Sequence, residues 1–197
     1  MMTMMDNDSA TARKAMIDSQ LRTSGVNEEF ALARMMAVPR EDFLPRDKAS
    51  LAYIDRSVAV EGGALASPLF YGKALLEAEP TRDDWVLVVE GGTGYLAALV
   101  APLAASVETA SAADAAAGKI TGSYTLIIVD GAIEQLPTAM ADALEEGGRI
   151  VSGLLLRQVT RLATGRKVVG QVSLQPVEDL GIPVLSDFNA PKTWSFT

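Results

Sequence analysis

Glu90-Gly91-Gly92-Thr93-Gly94 stands between the apolar run Trp85-Val-Leu-Val-Val and the segment Tyr95-Leu-Ala-Ala-Leu-Val. Glycines at such a junction let the backbone bend sharply and approach a ligand, and the free N–H groups of a starting helix favour anionic or polar ligand atoms. In the nucleotide-binding form of this unit an acid about 20 residues further on, at the end of the next strand, holds ribose hydroxyls. Glu108, in Ser106-Val-Glu-Thr109, follows Glu90 by eighteen positions and is the candidate. Asp130, just past the apolar run Tyr124-Thr-Leu-Ile-Ile-Val, is a further one. These residues predict a site for an adenosine-containing cofactor. A strand-to-helix turn without a ligand, with Asp130 as a solvated turn residue, is the alternative they leave open.

The chain has no histidine and no cysteine. Ser-His and Cys-His nucleophiles and the usual zinc sites are therefore excluded, and no metal site is expected. Carboxylates, hydroxyls, Lys and Tyr remain, which suits a reaction whose leaving group a cofactor has already activated. The net charge of −8, with Lys and Arg scattered, argues against nucleic acid as a partner. No apolar run reaches membrane-spanning length, and the opening Met-Met-Thr-Met-Met-Asp lacks the features of a signal peptide. A soluble, cytoplasmic protein is expected. Its 197 residues suit one domain, with a helical cap over residues 1–80 and a core over 81–197.

The elements that must position these residues follow from breakers and periodicity. A first helix is predicted over 9–22, with Ala12, Ala15, Met16 and Ser19 on one side, and a second over 28–36, capped by Asn27, with an apolar stripe of Phe30, Ala33 and Met36. A short helix up to Tyr53 and a short strand over 57–60 precede Ser67-Pro68, which opens a helix running to about Ala78. Buried parallel strands are expected near 85–89, 106–110, 124–129 and 149–155, with a helix over 137–145. Val159–Ala163 and Lys167–Leu174 read as an antiparallel hairpin turning at Thr164-Gly165-Arg166. Phe188, Trp194 and Phe196 make the terminal segment one that docks on the body.

Asp18-Ser-Gln-Leu-Arg22, Val38-Pro-Arg-Glu-Asp-Phe-Leu-Pro45 and Ala52-Tyr53 resemble the N-terminal signature of the protein-L-isoaspartate O-methyltransferases. The resemblance continues at Gly94-Tyr95, at Tyr124–Asp130, and from Leu136-Pro137 to Glu146-Gly-Gly-Arg-Ile-Val151. It implies an α/β, Rossmann-like fold using S-adenosylmethionine, with a protein or peptide carboxylate as methyl acceptor above the C-terminal ends of a mostly parallel sheet. The implied cofactor-binding set is Glu90, Gly91, Gly92, Thr93, Gly94, Glu108 and Asp130.

Three departures fall on that site. Aligned on Gly94-Tyr95, the family has glycine where this chain has Glu90 and a carboxylate where it has Val88; the alternative register Glu90-x-Gly92-x-Gly94 keeps the acid-x-Gly-x-Gly core of many methyltransferases. The family's Thr-Ile-Ser-x-Pro acceptor loop becomes Ala64-Leu-Ala-Ser-Pro68, which puts Ala66 at the hydroxyl position. Ser67, one residue late, is then either a helix N-cap or a shifted catalytic hydroxyl. Only thirteen residues, Ser111–Ser123, separate two strands where the family has further elements, including a Gly-Asp turn beside the adenine. The strand near 106–110 should therefore lie at the sheet edge, where a homodimer contact is expected. Two readings stay open: a methyltransferase with an altered acceptor, or a catalytically inactive methyltransferase-like binding or assembly module, and with them whether the cofactor is kept or lost.

Overall fold

Helix α1 (Met4–Met16) runs into a π-helical turn (Ile17–Leu21) and a 3-10 turn (Arg22–Ser24) in the computed structural model, which describes residues 4–190. Met16, Ile17 and Leu21 are buried, whereas Ala15 and Ser19 are exposed. The expected face is thus kept at Met16 and corrected at Ala15 and Ser19; at Ser19, inside the π turn, the wider winding shifts the buried side to Ile17 and Leu21. Helix α2 (Glu29–Ala37) begins after Glu28, not after an Asn27 cap, and buries Ala31, Leu32 and Met35. Ala33 and Met36 of the predicted stripe face outward. The rotation follows from Arg34, whose guanidinium donates to the carbonyls of Ala98 and Leu99 (3.1 and 3.0 Å) and fixes which side of α2 turns inward.

Strands β1 (Val58–Val60) and β2 (Gly63–Leu65) form a small antiparallel hairpin, of which only the first strand was expected. Helix α3 (Pro68–Ala78) starts at Ser67-Pro68 as predicted, since a serine N-cap and a proline at the first helical position both suit a helix start. Then come β3 (Trp85–Glu90), α4 (Tyr95–Val100), β4 (Ser106–Ser111), α5 (Ala112–Ala116), β5 (Tyr124–Ile133), α6 (Thr138–Ala143), β6 (Leu144–Leu156), β7 (Val159–Val168), β8 (Gln171–Val172) and β9 (Gln175–Asp179).

These make one mostly parallel sheet in the order β4-β3-β5-β6-β7, with β8 and β9 both pairing with β7. Strands β4, β3, β5 and β6 are parallel and β6-β7-β9 are antiparallel. Strand β4 is at the edge, as the short connection to β5 requires. Alternation divides the core: Val86, Val88, Leu126 and Ile128 face α1–α4, and Leu87, Val89, Ile127 and Val129 face α5, α6 and the 185–188 segment.

Two predictions near the end of the sheet are corrected. The helix over 137–145 is only α6, and Leu144 already pairs with Tyr124 ahead of a register shift that precedes Arg149. The hairpin turn is not at Gly165, which pairs with Ile150 inside β7, but at Arg157-Gln158 and Val169-Gly170. Both pairs are left-handed (φ 50° and 67°, 51° and 73°), which matches the twist of a two-residue hairpin.

After β9 the chain crosses the C-terminal end of β5. Ala132 donates its N–H to Pro183 O (2.7 Å), Leu185 N–H to Ala132 O (2.9 Å), and Phe188 is buried. Trp194 and Phe196 lie outside the described residues. No helix among the described residues is long and apolar enough to cross a membrane.

Candidate functional site

The end of β3 brings Glu90 opposite Ser111 of β4, and the turn Gly91–Gly94 leads directly into α4. The turn is held between two other backbones. A Cβ on Gly91 would lie 2.1 Å from Asp130 O, and one on Gly63 would lie 1.9 Å from Gly91 O. On the hairpin side the Ala64 N–H donates to Gly91 O (3.0 Å). Glycine is required here because backbone meets backbone on both faces. Gly94 takes the left-handed conformation (φ 74°) that opens α4, and its N–H donates to the Glu90 carboxylate (3.0 Å). Burial pushes the Glu90 carboxyl up, and that bond pulls it partly back. Thr93 Oγ1 accepts weakly from Tyr95 N–H (3.4 Å).

Above the turn is a cavity of about 420 Å³. Gly62-Gly63 of the hairpin, Glu90–Gly92, Ser111–Ala113 and Val184–Asp187 line it. Of the residues selected from the sequence it gathers Glu90, Gly91 and Gly92, whereas Thr93 and Gly94 follow on the turn without lining the cavity. Glu108 is not among the lining residues. It lies in mid-strand opposite Leu87 and accepts from the Tyr124 hydroxyl (2.7 Å), so the expectation that it stands at the strand end is corrected. Strand β4 runs three residues further, and the strand-end position belongs to Ser111. The Ser111 hydroxyl caps α5, accepting from Asp114 N–H (3.1 Å) and donating to its carboxylate (2.9 Å). Counting 21 positions from Glu90, instead of searching for an acid, would have found it.

Asp130 is not a solvated turn residue: it is 1% exposed, and neither carboxylate oxygen has a hydrogen bond of good geometry. Burial, the largest influence, raises its carboxyl to about 7. The neighbouring Tyr71 hydroxyl works against this, Glu90 adds to it, and the Gly91 N–H and Arg40 oppose it. Arg40, fully buried, stacks on Tyr71 and Tyr95 (5.4 and 5.1 Å to the ring centres) and donates to Ala52 O and Ala66 O (2.6 and 2.7 Å). Tyr71 Oη accepts from Ala66 N–H (3.1 Å). This polar layer beneath the turn was missed from the sequence, where Arg40 appeared only as part of the Val38–Pro45 signature.

Ser67 is 6% exposed and accepts the Phe70 N–H (3.2 Å), the geometry of an N-cap. It also lines a second cavity of about 480 Å³, together with Arg56, Ser57, Thr160 and Pro183. Pro183 faces this cavity and Val184 the first, so one strand of backbone separates them. A larger groove, about 730 Å³, lies between α1 and the 3-10 turn Arg46–Leu51, far in sequence and element from the strand ends, and holds none of the selected residues. Among the described residues no cluster of three acidic groups is placed to hold a metal ion.

A parallel sheet flanked by helices, with a glycine-rich β3–α4 turn and an antiparallel end, defines the Rossmann-like methyltransferase class. The family model for protein-L-isoaspartate(D-aspartate) O-methyltransferase (PCMT) matches residues 11–115. A protein-L-isoaspartate O-methyltransferase of Koribacter versatilis is 31% identical over 86% of this chain and 88% of its own length. One of Methanoculleus marisnigri is 28% identical over 89% and 92%. In fold, the chain resembles a Plasmodium falciparum protein-L-isoaspartate O-methyltransferase beta-aspartate methyltransferase solved in complex with S-adenosyl-L-homocysteine. The TM-score is 0.70, with 15% identity over 91% of this chain and 98% of that one. The chain belongs to the protein-L-isoaspartate O-methyltransferase family.

Proposed function

We propose that the chain binds an adenosyl sulfonium cofactor of the S-adenosylmethionine type at the ends of β3 and β4 and methylates a protein or peptide carboxylate other than isoaspartate. The observation that carries this reading is the pair of cavities on either side of the 183–184 backbone, one on the glycine-rich turn and one beside Ser67. In the first, Ala112, Ala113, Val184 and Leu185 offer apolar surface to a base, and Ser111 stands where a ribose hydroxyl would be met. The nucleoside and a sulfonium cation fit this lining.

When bound, the cofactor supplies an electrophilic methyl group. The chain's part is to align the acceptor carboxylate, itself the nucleophile, and to exclude water, so no separate base is required. Arg56, which has no ion-pair partner among the described residues, and the Ser57 and Ser67 hydroxyls are the groups that would orient a carboxylate in the second cavity. Residues 1–80 act in this reading as a cap on an 81–197 core within one domain, and the cytoplasm is the proposed compartment. The open β4 edge is the proposed seat of a homodimer, to be checked by light scattering of the wild type and Thr109→Pro.

The second reading, a non-catalytic module, is favoured by Glu90 occupying the Gly94 N–H and by serine at the end of β4. Titration with S-adenosylhomocysteine and labelled methyl transfer to a panel of carboxylate-bearing peptides separate the two. Transfer to a non-isoaspartyl carboxylate supports the enzyme, and absence both of binding and of transfer to every peptide of the panel supports the module.

A further inference from the structure

Within the glycine-rich turn the N–H that opens α4 is already engaged by a carboxylate of the protein itself. Gly94 N–H donates to Glu90 (3.0 Å), and Gly91 N–H lies on the Asp130 side of the turn, where it acts on that carboxylate. Gly92 is packed against the hairpin, where a Cβ would lie 2.9 Å from Gly62 O. Two of the turn's N–H groups, those of Gly91 and Gly94, thus already face the protein's own carboxylates. The charges around the cavity have one sign. Among the described residues Glu90 and Asp187 line it and no Lys or Arg does, and Asp130 lies buried just beneath Gly91 with both oxygens unpartnered by any of them. The nearest cation along β4–α5, Lys119, is paired with Asp114 (3.1 Å) outside the lining.

We infer that this site selects adenosyl ligands that carry a cation and no carboxylate, with the Glu90 side chain standing where the ligand's own carboxylate would otherwise lie. The inference rests on the cofactor reading above and adds what that reading leaves open, namely which end of an adenosyl compound the site rejects. A carboxylate brought here meets Glu90 in a partly desolvated space with no compensating cation, whereas an ammonium or sulfonium group meets two lining carboxylates. A tenfold preference corresponds to only about 1.4 kcal/mol, well within the reach of one like-charge contact of this kind.

Calorimetry on the full chain with three probes tests it: S-adenosylmethionine, decarboxylated S-adenosylmethionine, and the neutral 5′-methylthioadenosine. The expected result is at least tenfold tighter binding of the decarboxylated cation than of S-adenosylmethionine, with methylthioadenosine between them. Glu90→Gln, which keeps the Gly94 bond and removes the charge, should bring the two cations within a factor of about three of each other. Equal or tighter wild-type binding of S-adenosylmethionine overturns the inference and leaves the cofactor reading standing. An unchanged preference in Glu90→Gln overturns the role given to Glu90. If that variant does not fold, the wild-type ranking alone decides. Failure of all three probes to bind a protein whose melting is cooperative overturns the cofactor reading and this inference together.

Discussion

Gly91 and Asp130 are in backbone contact across the ends of β3 and β5: a Cβ on Gly91 would lie 2.1 Å from the Asp130 carbonyl oxygen and 3.1 Å from its Cγ. The nearest neighbour is backbone, so the added methyl must move the chain at Gly91 or at Asp130. Gly91→Ala should destabilise by roughly 3 kcal/mol or more, whereas Gly94→Ala, which meets open space and only a positive φ, should cost about 1 kcal/mol. Urea denaturation of both variants checks this, and equal losses would contradict the contact.

Asp130 makes stability depend on pH in a defined direction. Its folded carboxyl is raised from 3.8 to about 7, so the unfolded chain ionises first as pH rises, and native stability falls between about pH 4 and 7. A shift of that size corresponds to on the order of 4 kcal/mol. Asp130→Asn should therefore be more stable than wild type at pH 8, with the difference vanishing near pH 4. Melts across this range would refute it if the gap stayed constant.

Asp84 should act with the opposite sign. Burial opposes ionisation, but two bonds from Arg149 (2.9 and 2.7 Å), with others from Thr125 and Thr81, outweigh it and hold the carboxyl well below the usual range. Its contribution is present above the unfolded carboxyl's pKa and is lost as pH falls through the folded one. Arg149 also donates to Ala78 O and Glu79 O, tying the end of α3 to the start of β3. Asp84→Ala should cost about 3 kcal/mol at pH 7, because it leaves a half-buried guanidinium without its carboxylate. Chemical denaturation of Asp84→Ala against wild type, at pH 7 and again near pH 3, measures both the loss and its decline.

Ser67 should behave first as a cap. Ser67→Ala removes the acceptor of the Phe70 N–H and is expected to lower stability by about 1 kcal/mol. Thermal melts of Ser67→Ala and Ser67→Thr, the second of which keeps the cap, measure this.

Isoaspartyl selectivity should be absent. Ala66 is 1% exposed, and its N–H and carbonyl are bound to Tyr71 and Arg40, so the position is an interior backbone anchor without a hydroxyl for the acceptor. A site that lacks the expected polar partner loses discrimination steeply. The purified protein should show a kcat/KM for an isoaspartyl peptide no better than for its aspartyl isomer, measured by labelled methyl transfer.

The sequence by itself determined what depends on neighbours along the chain. Unbroken Val/Leu runs made β3 and β5 buried strands, and Ser67-Pro68 opened α3 where it does because cap and proline act within one turn. The short link from Ser111 to Tyr124 put β4 at the sheet edge, since a dozen residues cannot add another strand and helix. What only the tertiary structure decided lies where distant segments meet. The rotation of α2 depends on Arg34 reaching the end of α4, and Gly165 is a strand residue because Ile150 lies opposite it. Glu108 lost the strand-end place to Ser111 because β4 extends until it matches Glu90, a register fixed by pairing and not by acid spacing. Asp130 and Arg40, both charged, gave no local sign of burial. Asp130 is placed by the backbone contacts that run from Gly63 to Gly91 and from Gly91 to Asp130, and Arg40 by Ala52, Ala66, Tyr71 and Tyr95, contacts between distant segments that form only once sheet, helices and hairpin have closed on each other.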